Sequence, residues 1–291
     1  MTTAATTLVE RVRDLLEDYG DNATTLSAAV TDTTGTSFSI TSGTEIDAGD
    51  YLNVDFEVVR VVSGTTTAVV VRGQRGSTAA THLNAAVVLV SPIYPSHRIL
   101  NMLNAALGKM TKIVTDSTTL TVVDDQYAYA LPSTIDRLWR VEIENSDEGG
   151  EFFIMRNWEM QDGGAYFRIF GEYDTTRNIR CVGTSKFTAL TGSTSLDTAF
   201  PDDNPNAINY LVMETAGQLL LQRQGKIASR DSFVGLSDSF GANYPDHSVR
   251  VARQYLAEAE RYRQLAIRQE PILQTPEAPT QSPTRRYLQR L

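Results

Sequence analysis

Few residues of this 291-residue chain have types and spacings that could carry out chemistry. The first candidate is the glycine-rich stretch 72–78, Arg-Gly-Gln-Arg-Gly-Ser-Thr, whose backbone amides could hold a phosphate. A phosphate-binding loop requires the pattern G-x-x-x-x-G-K-[ST] followed by a helix. The stretch lacks that pattern and no helix clearly follows it, so we expect the end of a strand and a turn.

Two pairs of neighbouring aspartates, at 124–125 and 202–203, could hold a metal ion or share a proton as an acid–base pair. Neighbouring carboxylates that precede a helix usually cap the helix or interact with its dipole. Metal binding is therefore the less favoured interpretation of both pairs.

The cysteine and the histidines of the chain lie far apart in the sequence. Cys181 could act as a nucleophile only beside a base, and its strand-like surroundings favour a buried thiol. His82 and His97 could act as general bases, but isolated histidines near turns and helix starts usually have structural roles. Trp139 and Trp158 could form a sugar-binding surface, although packing is favoured. We therefore predict no enzyme, no catalytic, cofactor-binding or metal site, and no cofactor.

The chain is acidic, with a formal net charge of −9. Because phosphate binding requires clustered Lys and Arg, general affinity for DNA is not expected. An acidic surface would nevertheless suit a channel through which DNA slides without adhering. No apolar run approaches the ~20 residues of a membrane span, and the N-terminus lacks a signal-peptide pattern. We expect no membrane association, and a location in the cytoplasm or in a particle assembled there.

Four segments carry one apolar stripe each at helical spacing. They predict helices at 7–19, where Thr7 and Glu10 fit a capping box, and at 95–114, 204–225 and 248–268. The segments between them are rich in β-branched residues and glycine turns, which predicts strands. Since such stripes are satisfied by packing together, we predict fold class α+β: a four-helix bundle with two inserted antiparallel β modules and an extended C-terminal arm.

The predicted domain organisation follows from this interpretation. It consists of a first bundle helix at 1–25, an inserted small β-barrel at 26–92, a second bundle helix at 93–117, an inserted β-sandwich or sheet at 118–200, the last two bundle helices with a long connecting loop at 201–270, and the extended arm at 271–291.

The arm combines four prolines with a cationic and apolar end. Prolines exclude a continuous helix and favour an extended chain. From Ser248 onward, eight Arg and four Glu, with no Asp or Lys, give a local charge of +4. Arg and Tyr often anchor interfaces. The residues predicted to bind a partner are Arg285, Arg286, Tyr287, Leu288, Arg290 and Leu291.

Two stretches resemble proteins of tailed bacteriophages. Residues 57–82, with E-V-V-R-V-V-S-G followed by R-G-Q-R-G-S-T-A-A-T-H, are similar to a β-hairpin module that recurs in their virion proteins. Residues 8–18, with the pattern L-x-x-x-V-R-x-L-L-x-D, resemble the opening helix of many head-to-tail connector adaptors. The segments 204–225 and 248–268 are also similar to that family.

The resemblance implies a structural virion protein, a head-to-tail adaptor located in the neck and present in the host cytoplasm during assembly. It implies a ring of about twelve copies that sits under the portal protein and receives a stopper or tail protein. DNA would pass through this ring without sequence-specific binding, along an acidic or neutral surface, and the arm residues would bind the portal. The free chain is expected to associate weakly. Two alternatives remain open: another virion part, such as a stopper, decoration or baseplate protein, and an enzyme or carbohydrate-binding module.

Overall fold

The computed structural model describes most of the chain as helices, strands and defined loops. It covers residues 3–18, 20, 22–145, 150–171, 173–197, 200, 204–234, 244–269 and 273–274, with backbone alone at 224–234, 244–247, 269 and 273–274. The chain divides into two compact units. The first unit is formed by Met1–Leu107 and Thr188–Ala266, and the second by Gly108–Phe187 and Ile267–Leu291.

A six-stranded antiparallel sheet forms a large part of the first unit. Its strands are β1 (Asn22–Thr25), β2 (Ser37–Ser39), β3 (Tyr51–Val54), β4 (Glu57–Ser63), β5 (Thr67–Val71) and β6 (Val87–Val90). They lie in the order β1-β6-β3-β4-β5-β2. Where the two outer strands end, Ser27 donates its amide to Ser39 and Thr41 donates to Thr25, both at 2.9 Å. The sheet therefore closes on itself, around an apolar cluster that includes the fully buried Phe38.

Four α-helices are described, and they begin in the first unit: α1 (Ala5–Leu16), α2 (Ser96–Leu107), α3 (Pro205–Val234) and α4 (Tyr244–Gln269). Helices α1, α2 and α3 contact one another. Their apolar side chains Leu8, Leu103 and Leu211 are fully buried, and Tyr210 donates its hydroxyl to the carbonyl of Ala106 at 3.1 Å. Within the described residues, no helix is both long enough and apolar enough to cross a membrane.

Helix α4 lies close to α3 at Gly217. A Cβ atom at this position would lie 2.8 Å from Cγ of Leu256 and 3.1 Å from the carbonyl oxygen of Ala252. Side chains larger than hydrogen would therefore displace α4. On another side of α4, Tyr255 donates its hydroxyl to the carbonyl of Leu15 in α1 at 3.3 Å.

The chain enters and leaves the six-stranded sheet at neighbouring points. Asn22 and Val90 are direct partners in the pairing of β1 with β6. Just outside these strands, the Asp18 carboxylate accepts the amides of Ile93 at 3.0 Å and Tyr94 at 2.6 Å. These bonds tie the segment after α1 to the segment before α2.

The second unit contains two antiparallel sheets. Its strands are β7 (Thr111–Thr121), β8 (Ala128–Ala130), β9 (Arg137–Glu144), β10 (Phe152–Ile154), β11 (Trp158–Gln161), β12 (Tyr166–Ile169), β13 (Asn178–Lys186) and β14 (Leu273–Gln274). One sheet has the order β10-β9-β13-β7-β14 and the other β11-β12-β8. Both contribute to one apolar cluster, with Val141 and Cys181 from the first sheet and Phe167 stacked on Tyr129 from the second.

The predicted four-helix bundle with two inserted antiparallel β modules is wrong. Within its described residues, the chain is an α+β protein with sheets of six, five and three strands, and these sheets enclose apolar clusters of their own. The β-branched segments are therefore principal layers of the fold, not additions to a helical body.

The helix predicted at 95–114 is wrong in its last turns. Helix α2 ends at Leu107, and the following residues form β7. Met110 and Val114 continue the helical spacing of apolar residues, but Gly108 weakens a helix and the run from Thr111 is rich in β-branched residues that favour a strand. The local composition therefore overrides the spacing.

Two predicted helix ends also differ from the structure. Helix α1 begins at Ala5, so Thr7 and Glu10 lie inside it and form no cap. Helix α3 continues through Gly225 to Val234. A glycine inside a helix is unfavourable by only about 1 kcal/mol relative to alanine, so Gly225 by itself does not end α3.

Candidate functional site

The glycine-rich stretch surrounds one buried carboxylate, that of Glu57. This residue begins β4 and is fully buried. Strand β5 pairs antiparallel with β4, which brings Arg72, the residue after β5, back to the start of β4. Arg72 donates from Nε to Oε1 at 3.0 Å and from Nη2 to Oε2 at 2.6 Å. This bidentate geometry is the strongest form of an arginine–carboxylate pair.

Further donors complete the surroundings of Glu57. The amides of Gly73 and Ala80 donate to its carboxylate at 3.1 and 3.0 Å, and Nε2 of His82 lies 2.9 Å from Oε2. Burial by itself would raise the pKa of Glu57, but the hydrogen bonds from His82 and Arg72 outweigh it and lower the pKa to about 2. Glu57 is therefore ionised at all but strongly acidic pH.

His82 bridges two carboxylates. Its Nδ1 lies 2.7 Å from Oδ2 of Asp55, while Nε2 faces Glu57. Burial alone would lower the pKa of His82, but the hydrogen bonds to Asp55 and Glu57 outweigh it and raise the pKa. Since both ring nitrogens are bonded and the side chain is 0% exposed, His82 fixes the 72–82 connection and does not face solvent as a base.

The rest of the glycine-rich stretch is a turn held against β4. Strand β5 ends at Val71, and a short 3₁₀ turn follows at Gln74–Gly76. Ser77 accepts the amide of Val58 at 2.8 Å and donates to the carbonyl of Gln74 at 2.8 Å. The amides of Gly73 and Ser77 and the guanidinium of Arg72 therefore bond within the protein and are not free to hold a phosphate.

A groove of about 370 Å³ lies beside this network, between α1 and the sheet of the first unit. We call it the α1 groove. Its walls and floor are formed by Thr6, Val9, Glu10, Arg13, Asp14, Ala23, Asn53, Asp55, Phe56, Val87, Leu89 and Ser96. The helix residues recur at the spacing of one helix face. Ala23, Leu89 and Asn53 lie side by side across β1, β6 and β3.

A buried arginine lines the α1 groove. Arg13 is 8% exposed, and its Nη2 donates to Oγ of Ser96 at 3.1 Å. Asn53 donates to the same oxygen at 2.9 Å and accepts the Ser96 amide at 2.8 Å. The Nε atom of Arg13 is buried and has no hydrogen-bond partner. Burial also lowers the pKa of Arg13. A buried charged donor without an acceptor is costly.

The structure does not bring the other candidate residues from the sequence analysis, Cys181, Asp124 and Asp125, together into one site. Cys181 is buried in β13, and burial raises its pKa to about 12, so the thiol is protonated at neutral pH. Asp124 and Asp125 line a pocket of about 470 Å³ in the second unit together with Tyr127. Among the described residues, no group of three or more His, Cys, Asp and Glu side chains could hold a metal ion. The pair 202–203 lies outside the described residues.

The other predicted candidates have packing or structural contacts. His97 has its Nε2 atom 3.1 Å from the carbonyl of Arg75, and burial lowers its pKa. Trp158 packs against the apolar cluster of the second unit. Trp139 lies in β9 and is half-buried.

Most of the predicted arm lies outside the described residues. The exception is Leu273–Gln274, which forms β14 and pairs antiparallel with Lys112 and Thr111 of β7. The predicted site residues lie beyond the described part of the chain: Arg285, Arg286, Tyr287, Leu288, Arg290 and Leu291.

Sequence reasoning did not identify Glu57 or Arg13 as site residues. A signal existed for Glu57, because strand alternation places it on the same face as the apolar Val59 and Val61, and a buried acid needs partners. For Arg13 no local pattern pointed to burial, since a charge on an amphipathic helix usually faces solvent.

Comparison with known proteins does not assign the chain to a family. No family model matches the sequence, and no curated protein matches it either. A functional conclusion must therefore be argued from the residues themselves.

Proposed function

We propose that this chain is a structural protein of a tailed-bacteriophage virion. It is a head-to-tail adaptor that forms a ring of about twelve copies, sits under the portal protein, surrounds the DNA channel and receives a stopper or tail protein. The proposal rests on the resemblance of the segment 57–82 to a β-hairpin module that recurs in virion proteins. In this segment, Arg72, Gly73, Ala80 and His82 all bond to Glu57.

The chemistry of this segment supports a structural role. Arg72, Ser77 and His82 of this segment bond within the protein and fix a hairpin and its following connection. A network of this kind rigidifies a fold and specifies one arrangement of the chain. Rigidity is what a component of a large particle requires.

The surface supports assembly with other chains. Leu83 is 80% exposed, and Phe153 and Ile154 of the outer strand β10 are 54% and 60% exposed. Exposed apolar residues and strand edges promote association, and head-to-tail contacts between identical copies close into rings. The net charge of −9 per copy gives such a ring a negative field, which lets DNA pass without adhering.

The decisive experiment combines the purified chain with the portal protein of the same genome. Mass photometry and electron microscopy should show the chain alone as small species and the mixture as portal bearing a ring of about twelve copies. Removing residues 285–291 should abolish attachment, whereas the exposed substitution Glu45→Gln should leave it unchanged. A closed ring without portal, or no attachment of the full chain, would contradict the proposal. Density for the chain on the capsid surface or baseplate of the virion would identify another virion part instead.

A further inference from the structure

Four arginines of the first unit have no carboxylate partner. They are Arg60 in β4, Arg75 in the 3₁₀ turn after β5, Arg98 in α2 and Arg223 in α3. Arg60, Arg75 and Arg223 are exposed, and Arg98 is half-buried. Within the described part of the chain, none of the four side chains forms an ion pair. We call these four residues the arginine row.

The first two members of the arginine row are joined by Tyr51. Arg60 is the direct partner of Tyr51 in the pairing of β3 with β4, so both side chains lie on the same face of the sheet. The guanidinium of Arg75 lies over the Tyr51 ring, 3.8 Å from its centroid. Stacking occupies the face of a guanidinium and leaves the donors at its edge available. Arg75 also has a φ of 53°, a conformation that is unfavourable for a residue with a Cβ and is concentrated at functional sites.

His97 and Gln222 connect this turn to the two helical members of the row. Nε2 of His97 lies 3.1 Å from the carbonyl oxygen of Arg75, and Arg98 follows His97 in the first turn of α2. Arg98 donates from Nη2 to Oε1 of Gln222 at 3.1 Å, and Arg223 is the next residue of α3. The arginine row therefore runs from the sheet across α2 to α3.

Two side chains beside the arginine row are affected by its charge. Burial lowers the pKa of His97, and two arginines of the row lower it further. Burial raises the pKa of Tyr94, and two arginines of the row oppose that rise. The nearby carboxylate of Asp18 is buried and already accepts the amides of Ile93 and Tyr94. The positive charge of the row is therefore not neutralised by a described carboxylate, although the chain as a whole is acidic.

A row of cations without acids between them fits a ligand with repeated negative charges. A guanidinium pairs with a phosphate through two parallel hydrogen bonds, and each nucleic-acid strand carries a phosphate about every 3.4 Å. We propose that the arginine row binds the phosphodiester backbone of a nucleic acid without regard to base sequence. Such binding requires clustered arginines or lysines. The cluster forms only in the folded chain, because its members come from four separate elements.

The binding is expected to be weak and sensitive to salt. Four cations make few phosphate contacts, and the net charge of −9 opposes them. Contacts of this kind let a protein slide along DNA, so they are compatible with passage of DNA through the proposed ring. The inference does not rest on a role in a virion. Attachment to a portal and binding to DNA are separate measurements, and either can fail while the other succeeds.

The proposal can be tested by titrating the full chain against a fluorescein-labelled DNA duplex of about 20 base pairs and following fluorescence anisotropy at about 50 mM salt. Four phosphate contacts predict that the logarithm of the association constant falls with the logarithm of the salt concentration with a slope of about −3 to −4. A duplex of unrelated sequence should bind equally well. Arg75→Glu should weaken binding about tenfold and make the slope less steep by about 1.

Matched variants separate the arginine row from the overall charge of the chain. Arg11→Glu reverses the charge of another exposed arginine of the first unit and should leave the affinity and the slope unchanged. Arg60→Gln removes a charge without disturbing any described hydrogen bond and should also reduce the slope by about 1, with unchanged thermal unfolding as the control for folding. No binding at low salt, or equal effects of Arg11→Glu and Arg75→Glu, would overturn the proposal. Tighter binding of a polyglutamate peptide than of DNA would also overturn it and assign the row to an acidic protein surface.

Discussion

Replacing Glu57 with glutamine removes the charge at the centre of the ion network while preserving the shape of the side chain. Arg72 and His82 then remain buried without their shared carboxylate. Because their donors were arranged around two negative oxygens, an amide that accepts at one end and donates at the other cannot replace them. We expect a large loss of stability in the first unit.

The size of the loss follows from two independent considerations. Lowering the pKa of a carboxyl from 4.5 to about 2 stabilises the folded state by about 3 kcal/mol at neutral pH. Removing one partner of a buried ion pair typically costs about 3–5 kcal/mol. The side chains of Glu57 and Arg72 are 0% and 6% exposed, so solvent screens their interaction little. The expected loss for Glu57→Gln is therefore about 3–5 kcal/mol.

Hydrogen exchange measures this loss at the affected residues. The amides of Gly73 and Ala80 donate to Glu57, and their exchange should accelerate by at least about a hundredfold in the variant, since about 1.4 kcal/mol corresponds to a factor of ten. Both tryptophans, Trp139 and Trp158, lie in the second unit, so their fluorescence serves as an internal control.

The pH dependence provides a further check on the role of Glu57. The folded pKa of Glu57 is depressed, so its contribution to the free energy of unfolding is present above pH 4.5 and is lost as the pH falls toward about 2. Glu57→Gln should remove this dependence, whereas Glu45→Gln, at an exposed position, should retain it. A loss below about 1 kcal/mol, within the range of an ordinary surface pair, or unchanged exchange at Gly73 and Ala80, would refute the reasoning.

Three further predictions concern separate parts of the chain. The pKa of His82 is raised in the folded state, so its contribution to the free energy of unfolding is present below pH 6.5 and is lost as the pH rises through the raised value. Chemical unfolding measured from pH 6 to 9 should show this decline in stability. His82→Gln should make the stability change less with pH over this range. Cys181 should resist thiol reagents at neutral pH in the folded chain and react fully after unfolding, and rapid modification of the native protein would contradict its burial. Gly217→Ala should destabilise the chain by about 1–3 kcal/mol, and adding Leu256→Ala should recover part of the loss in a double-mutant cycle, unless α4 does not approach α3 there.

The helices and hairpins that depend on local patterns were predictable from the sequence to different degrees. The stripe of Leu8, Val12 and Leu15 located α1, although its N-cap is Ala4, three residues before the predicted Thr7. The predicted helix failed from Thr111 onward, because helical spacing and strand composition conflict there and pairing with β13 favours the strand. The bundle prediction failed because periodicity identifies an apolar face without identifying the surface that covers it.

The α1 groove could not have been predicted, because its residues meet only in the folded chain. Arg13 and Ser96 are 83 residues apart, and Asn53 and Ser96 are 43 residues apart. Each residue is unremarkable within its own segment. The residues that bond to Glu57 all lie within the segment 57–82. Only the antiparallel pairing of β5 with β4 shows that Arg72 meets this carboxylate.

The position of the six-stranded sheet within the chain has a genetic consequence. Since Asn22 and Val90 face each other as strand partners, their Cα atoms are separated by about 5 Å, a gap that one or two residues can bridge. The 22–90 segment also encloses its own apolar cluster. Recombination can therefore insert, delete or exchange the coding sequence of this segment as one cassette, with the flanking helices keeping the same separation.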